Sequence, residues 1–345
     1  MPSRLALFAF ALGCALPILS ACGSPQQASS LTPAGAGAEN AARARLLAFF
    51  QQRQSARLHY DREASWMSPR AVQAKNLVYV ADGGRGKVRV YTYPSLEQAG
   101  NLLDLADPAG VCSDSKGNVW VVESKAPKLI EYAHGSTKEE AMLSDAGAQY
   151  PLGCSVDPTT GNLAMTNLGG PSGGGNILIW AGAKGSATTH SDSDMSFVYF
   201  CGYDAQGNLF VDGLDAHYNF VFAELPNGSK DFQTIALDGV SFPGGIAWDG
   251  QYVAVGDQAY QSKEKSAIDQ VSVSGSTATI AATTTLNGSC DVMQFAMFNG
   301  KVFTPDVCLG QGFVYHYPAG GNAIKKIGNL QYPVAAAISS IATAK

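Results

Sequence analysis

The sequence predicts an all-β protein, a six-bladed β-propeller whose first blade is closed by the C-terminal strand. Three observations predict it: a motif that recurs every forty-odd residues, several short strands in each repeat, and a composition rich in glycine and poor in charge. Of 345 residues, 46% are hydrophobic, 15% are charged and 38 are glycine. Low charge with abundant glycine suits strands joined by tight turns better than packed helices.

The motif reads Pro-x-Gly-x-x-x-Asp-x-x-Gly-Asn, then an alternating β run, then an acid or amide. Its clearest copies run from Pro108 to Glu123, from Pro151 to Asn167 and from Phe200 to Asp212. Looser copies end at Asp257 and Asp306, and a truncated first copy ends at Asp82. The intervals between end marks are 41, 44, 45, 45 and 49 residues. A period in the forties with several strands per unit is the mark of a propeller, and six marks give six blades. Runs such as Leu77-Val78-Tyr79-Val80 and Val119-Trp120-Val121-Val122 suit sheets covered on both faces. The Asp-x-x-Gly-Asn segment supplies the positive φ that a tight hairpin requires. The first copy lacks its opening strand, and Tyr332 to Ser339 matches it, so the chain's end is expected to close the ring. Closure removes exposed sheet edges, which predicts a monomer.

Outside the repeats the chain divides into residues 1–21, 22–40 and 41–65, with the propeller over 66–345. Arg4 precedes an apolar run, Leu5 to Leu19, broken by Pro17 and too short for a comfortable membrane span. The run ends in Leu19-Ser20-Ala21-Cys22, which predicts a lipoprotein signal peptide, cleavage before Cys22 and lipidation of that thiol. The expected location is the cell envelope, on the outer membrane or the outer face of the cytoplasmic membrane. Gly23 favours the former in a Gram-negative host. Residues 22–40 read as a flexible tether. In the following arm, Arg43, Arg45, Arg53, Arg57 and Arg62 surround Leu46, Leu47, Phe49 and Phe50. Such an arm can lie on anionic headgroups or pack on the base of the propeller, and the second reading is preferred.

The net charge of −5 and pI near 5.5 exclude a basic nucleic-acid footprint. Without Cys14 and Cys22, five cysteines remain, an odd number, with no zinc-like spacing. Cys154 and Cys201 each lie three residues before a repeat aspartate, and Cys290 and Cys308 flank the Asn299-Gly300 hairpin. Either pair could form a disulfide or remain buried small hydrophobes. Cys112, one residue off that register, is the expected free thiol.

With the Pro108, Pro151 and Pro243 openings, the three Gly-Asn hairpins and the Val80-Ala81-Asp82 run in hand, residues 66 to 340 resemble NHL-repeat and gluconolactonase/regucalcin-like six-bladed propellers. The resemblance implies a divalent cation at one mouth, held by side chains that precede the inner-strand glycines. The matching positions here are Ala109, Leu152, Gly244 and Tyr199, which are not such ligands, and Asp291, which can stand in for one.

Topology puts Asp82, Glu123, Asn167, Asp212, Asp257 and Asp306 around one mouth. Five acids there would attract calcium, with Asp212, Asp257, Asp291 and Asp306 as candidate ligands, or each would cap its own turn. His217, five residues past Asp212, is the candidate general base, against a role as a solvated loop residue. There is no Gly-x-Ser-x-Gly elbow and no phosphate-cradling loop. Two function classes follow. One is a non-enzymatic binding or scaffold module that takes a protein, peptide or glycan at the mouth near Tyr218, Phe220 and Tyr260. The other is a cation-dependent lactonase or lyase with a rearranged site. The missing ligand positions favour the first.

Overall fold

The computed structural model describes residues 34–55, 64–260 and 265–341. Cys22, the signal segment and most of the tether lie outside the described residues. Among the described residues no helix is long and apolar enough to cross a membrane.

Six sheets form the blades, antiparallel except where Gly321–Asn322 adds in parallel to the edge of the fifth. The inner strands of blades two to five are Pro108–Ser113, Pro151–Val156, Phe197–Tyr203 and Pro243–Trp248, and that of blade six is Ala296–Phe298. Blade one receives its inner strand from the C-terminal side: Pro333–Ser340 pairs with Asn76–Asp82, from Asn76 opposite Ser340 to Asp82 opposite Pro333. The closing strand is also tied sideways, since the Ser113 hydroxyl donates to Ile338 O at 2.9 Å.

The recurring residues of the repeat have physical tasks. A Cβ on Gly110 would collide with the carbonyl oxygen of Leu152, and one on Gly245 would sit 2.6 Å from Met293 O. The glycine of the Pro-x-Gly opening therefore marks where neighbouring inner strands come closest, near the axis. In the hairpin of blade two, Asp114 Oδ1 accepts from Lys116 N at 2.9 Å and Asn118 N at 2.8 Å, while Asn118 Nδ2 donates to Oδ2 at 3.0 Å. Gly117 takes the left-handed conformation, with φ 88°. Asp204, Gly207 and Asn208 repeat this arrangement in blade four. Between blades, Trp120, Trp180, Phe222 and Phe303 are fully buried. Each such side chain contributes roughly 1.5–3 kcal/mol through removal of apolar surface from water.

The cysteine pairing corrects two expectations, the Cys154–Cys201 bridge and Cys112 as the free thiol, and agrees with a third. Cys290 and Cys308 form a disulfide with Cα atoms 6.5 Å apart. Cys154 does not pair with Cys201: it pairs with Cys112, Cα to Cα 5.7 Å, and Cys201 is the buried free thiol. The reason is the stagger between neighbouring inner strands. Cys154, three residues before its repeat aspartate, points back to the preceding blade, where it meets Cys112, two residues before Asp114. By the same offset the position that corresponds to Cys112 for Cys201 is Ser155, which has no sulfur and whose Oγ accepts from Tyr203 N at 3.1 Å.

Before the propeller, α1 (Ala34–Ser55) begins inside the stretch read as tether. It does not stand off the domain. Ala42, Leu46, Phe50 and Arg53, at helical spacing, are 6%, 1%, 3% and 2% exposed, and the first three belong to the largest hydrophobic cluster of the propeller.

Candidate functional site

The mouth expected to bind ligand is covered by α1. Four inner strands open with a proline, and the residues just before them, Asp107, Tyr150, Phe242 and Tyr332, form a collar around the mouth. Asp107, Tyr150 and Tyr332 have φ of 64°, 52° and 62°, a left-handed conformation that costs a non-glycine residue about 1 kcal/mol or more. The repeat holds it in place. The N–H of Gly83, Ser124, Leu168 and Gln258, each one residue past a ring position, donates to the carbonyl of Tyr332, Asp107, Tyr150 and Phe242 at 3.0–3.2 Å.

The ring acids complete the same clamp. Asp82 Oδ1 accepts from Gln331 N at 2.5 Å, Glu123 Oε1 from Ala106 N at 3.1 Å and Asp257 Oδ2 from Ser241 N at 3.0 Å. All three donors lie two residues before the strand-opening proline. Asp306 Oδ2 accepts from Cys290 N at 2.9 Å, and Oδ1 accepts from Leu309 N at 2.9 Å. Asp212, in one of the two blades whose inner strand does not open with a proline, accepts from Phe200 N at 2.9 Å and from Gly244 N of the next blade at 3.2 Å. Asn167 donates to Asn176 Oδ1 at 2.7 Å. Arg89 and Lys128 add ion pairs to Asp82 and Glu123, at 2.9 and 3.2 Å. Burial raises the carboxyl pKa of Asp82, Glu123, Asp257 and, most strongly, Asp212, and the hydrogen bonds offset it in part.

This donor set does not fit calcium, which needs six to eight oxygen ligands converging on one point. Here the carboxylates are buried and turned onto backbone N–H groups of the collar. The cluster of Cys290, Asp306 and Cys308 offers no thiolates either, because its sulfurs are bonded to each other. His217 is not among the residues that line the space beneath the helix. It is exposed, its N–H donates to Asp215 Oδ1 at 2.7 Å, and it lines a separate rim groove of 510 Å³ with Asp194, Asp215 and Asp238.

On the collar, α1 reaches five blades. Arg53 Nε donates to Asp107 Oδ2 at 3.0 Å and Nη2 lies 3.0 Å from the same oxygen, with both side chains 2–3% exposed. Burial pushes the Asp107 carboxyl up, while Arg53 and Lys125 pull it back. Phe50 meets Tyr150 edge-on at 4.9 Å, and Phe49 meets Tyr332 at 6.3 Å. Arg45 lies 5.8 Å over Phe242 and donates to Gln258 O at 3.2 Å. Arg43 lies 6.0 Å over Tyr218, one of the residues expected to meet a ligand.

Beneath the helix a chamber of 160 Å³ remains, between Arg45, Ala48, Phe49 and Gln52 and the propeller residues Tyr199, Phe242, Gln258, Asp291, Met293, Val307 and Tyr332. Asp291 thus sits where a ligand residue was expected, but it shares the chamber with Tyr199 and Arg45, and its carboxylate neighbour Asp306 is engaged by Ser289, Cys290 and Leu309. Burial, then Asp306, raise its pKa to about 7 against the pull of Arg45. Below the chamber the channel is closed by Gln294, whose Oε1 accepts from Val111 N at 3.2 Å and whose Nε2 donates to Cys154 O at 2.8 Å. The opposite mouth is open, a recess of 490 Å³ with Ser113, Ser155, Tyr203, Trp248, Met297 and Ile338 in its wall.

Sequence reasoning missed the collar. Its signal was present in the residue before each strand-opening proline, where one acid and three aromatics recur.

No family model matches the chain, and no curated protein matches it in sequence. In fold it is similar to a chain in the crystal structure of a nidogen/laminin complex, with a TM-score of 0.62 at 11% identity, over 76% of this chain and 98% of that one. It is also similar to a functionally unknown protein from Desulfotomaculum acetoxidans, with a TM-score of 0.55 at 13% identity, over 77% and 100% of the two chains. Apo AztD from Citrobacter koseri aligns with a TM-score of 0.47 at 9% identity, over 76% and 97%. At these identities the first two likenesses show a shared fold and nothing further.

Proposed function

We propose that the protein is an envelope lipoprotein, anchored through Cys22, that displays a propeller as a non-enzymatic binding or scaffold module of NHL-like ancestry. The observation that carries this reading is the helix across the collar, together with ring carboxylates that are all engaged by backbone donors. A hydrolytic site at that mouth would lack both its cation and an open path for a bulky substrate. The partner, a protein, peptide or glycan, is then met at the open mouth around Tyr203 and Trp248. The resemblance to a propeller crystallised in a protein complex is compatible with such a role.

Position-specific photocrosslinking in the native envelope tests the reading. A crosslinker at Trp248, Met297 or Ile338 should give a discrete adduct that disappears with Tyr203→Ala, and one at Ala48 should give none. Adducts confined to the α1 side would sink the assignment of the open mouth. Metal-dependent lactone hydrolysis that is lost in Asp291→Ala would restore the enzymatic alternative. Loss of radiolabelled palmitate in Cys22→Ser checks the anchor.

A further inference from the structure

α1 presents two neighbouring stripes. Ala42, Leu46, Phe50 and Arg53 seat the helix in the collar, whereas Arg45, Ala48, Phe49 and Gln52, spaced i, i+3, i+4 and i+7, roof the chamber. The second stripe contributes an arginine and a phenylalanine to a space that apolar packing alone would have filled. The chamber walls are aromatic: Tyr199 and Phe242 meet edge-on at 5.4 Å, and Phe49 faces Tyr332. Two polar atoms on the propeller side, Tyr199 Oη and Asp291 Oδ1, are sealed from solvent with no protein partner, and Tyr199 is 2% exposed. Buried polar atoms are ordinarily paired, because leaving one unpaired costs about 1–3 kcal/mol. On the roof, Arg45 has one bond to a carbonyl and further donors in its planar fork.

We propose that this chamber binds a small free α-amino acid with an apolar side chain. The ligand carboxylate would be received by Arg45, its ammonium by the partly exposed Asp291 carboxylate, and its side chain by the aromatic wall. Size agrees with this class, since a cavity of roughly 150 Å³ admits a molecule of about six to eight non-hydrogen atoms. Charge agrees as well. Arg45 and Asp291 lie on the helix side and the propeller side of the chamber, one positive and one acidic, so a ligand carrying only one of the two charges leaves one partly buried group without its counterpart. The inference is independent of what the open mouth binds.

Calorimetric titration of the full chain with L-valine, isovalerate and isobutylamine tests it, the latter two each lacking one charge. L-valine should bind, and each comparator should bind at least about tenfold more weakly, as loss of a charge-assisted bond implies. Arg45→Gln should weaken valine at least about tenfold while leaving isobutylamine unchanged, and Asp291→Asn should do the same with respect to isovalerate. Absence of valine binding at about 10 mM overturns the proposal. So does isovalerate binding as tightly as valine, which would make the chamber a merely apolar pocket. Because the three wild-type titrations decide alone, a variant that fails to fold does not obscure the result.

Discussion

The two mouths of this propeller are built with the same residue, aspartate, and differ in what surrounds it. At the open mouth Asp249 is partly buried and accepts from Gln251 N, Tyr252 N, Gln270 Nε2 and Tyr317 Oη at 2.6–2.8 Å. Burial alone would raise its pKa, but these donors together hold it below the usual aspartate value. At the covered mouth Asp291 is also partly buried, with Oδ1 unpartnered, and its pKa is raised to about 7. The hairpin mouth is thus complete in itself. The collar mouth becomes complete only with α1 upon it, and it retains groups with no partner in the fold. That difference is why the covered end, closed as it is, carries the ligand chemistry.

The largest effect should come from the one strand tied to both ends. At the collar, Gln331 and Tyr332 bond to Asp82 and Gly83. At the hairpin end, the Ser339 hydroxyl meets His134 Nδ1 at 2.6 Å and donates to Gly117 O. A chain ending at Asn329 exposes the Asn76–Asp82 edge and should be aggregated or protease-labile. A truncation that melts like the full chain would falsify the closure.

Next in size is the pair that seats α1. Arg53→Met leaves the Asp107 carboxylate buried without its counter-ion, and breaking such a pair costs about 3–5 kcal/mol. Urea unfolding should register that loss, and proteolysis within α1 should accelerate. The double variant Arg53→Met with Asp107→Leu should recover most of the stability, because no lone charge remains. A double variant as unstable as the single one would mean that α1 is held by something other than this contact.

At the open mouth the corresponding tie is covalent. Replacing Cys112 and Cys154 by serine should cost about 2–4 kcal/mol. The stagger also makes a constructive prediction: Ser155→Cys should capture Cys201. Thiol labelling under denaturing, non-reducing conditions should then lose the Cys201 signal. A thiol that stays reactive would show that the offset does not repeat from blade to blade.

The repeat was legible because every unit needs the same local chemistry: glycine where inner strands meet, Asp-x-x-Gly-Asn where the hairpin turns, and proline where the strand opens. Closure by Pro333–Ser340 followed from a missing first strand. The docking of α1 was not legible. Its arginines and phenylalanines mark an amphipathic helix, but the complementary Asp107, Tyr150, Phe242 and Tyr332 are scattered over 226 residues. Only the ring brings them together. The Cys112–Cys154 bond was missed for a related reason. Equal position in the repeat was taken as adjacency, whereas staggered strands bring unequal positions side by side. Repeat pattern names the acids of the ring, but it does not reveal that their carboxylates turn onto backbone N–H groups.

The smallest effect separates the two mouths by sign. A carboxyl whose folded pKa is depressed contributes stability above its unfolded pKa, and this is lost as pH falls through the folded value. For Asp249 that window lies below about pH 4, so Asp249→Asn should flatten the acid side of the stability profile. For Asp291 the folded value is raised, so its contribution is full below the unfolded pKa and is lost as pH rises through about 7. Between pH 6 and 8 this term should remove about 1 kcal/mol from the wild type. The measurement is urea unfolding of wild type, Asp249→Asn and Asp291→Asn from pH 3 to 8. The wild-type-minus-variant difference isolates each group from other buried acids such as Asp269, which burial raises to about 6. If both differences fall on the acid side, Asp291 Oδ1 has a partner after all, and the contrast between the mouths reduces to the helix alone.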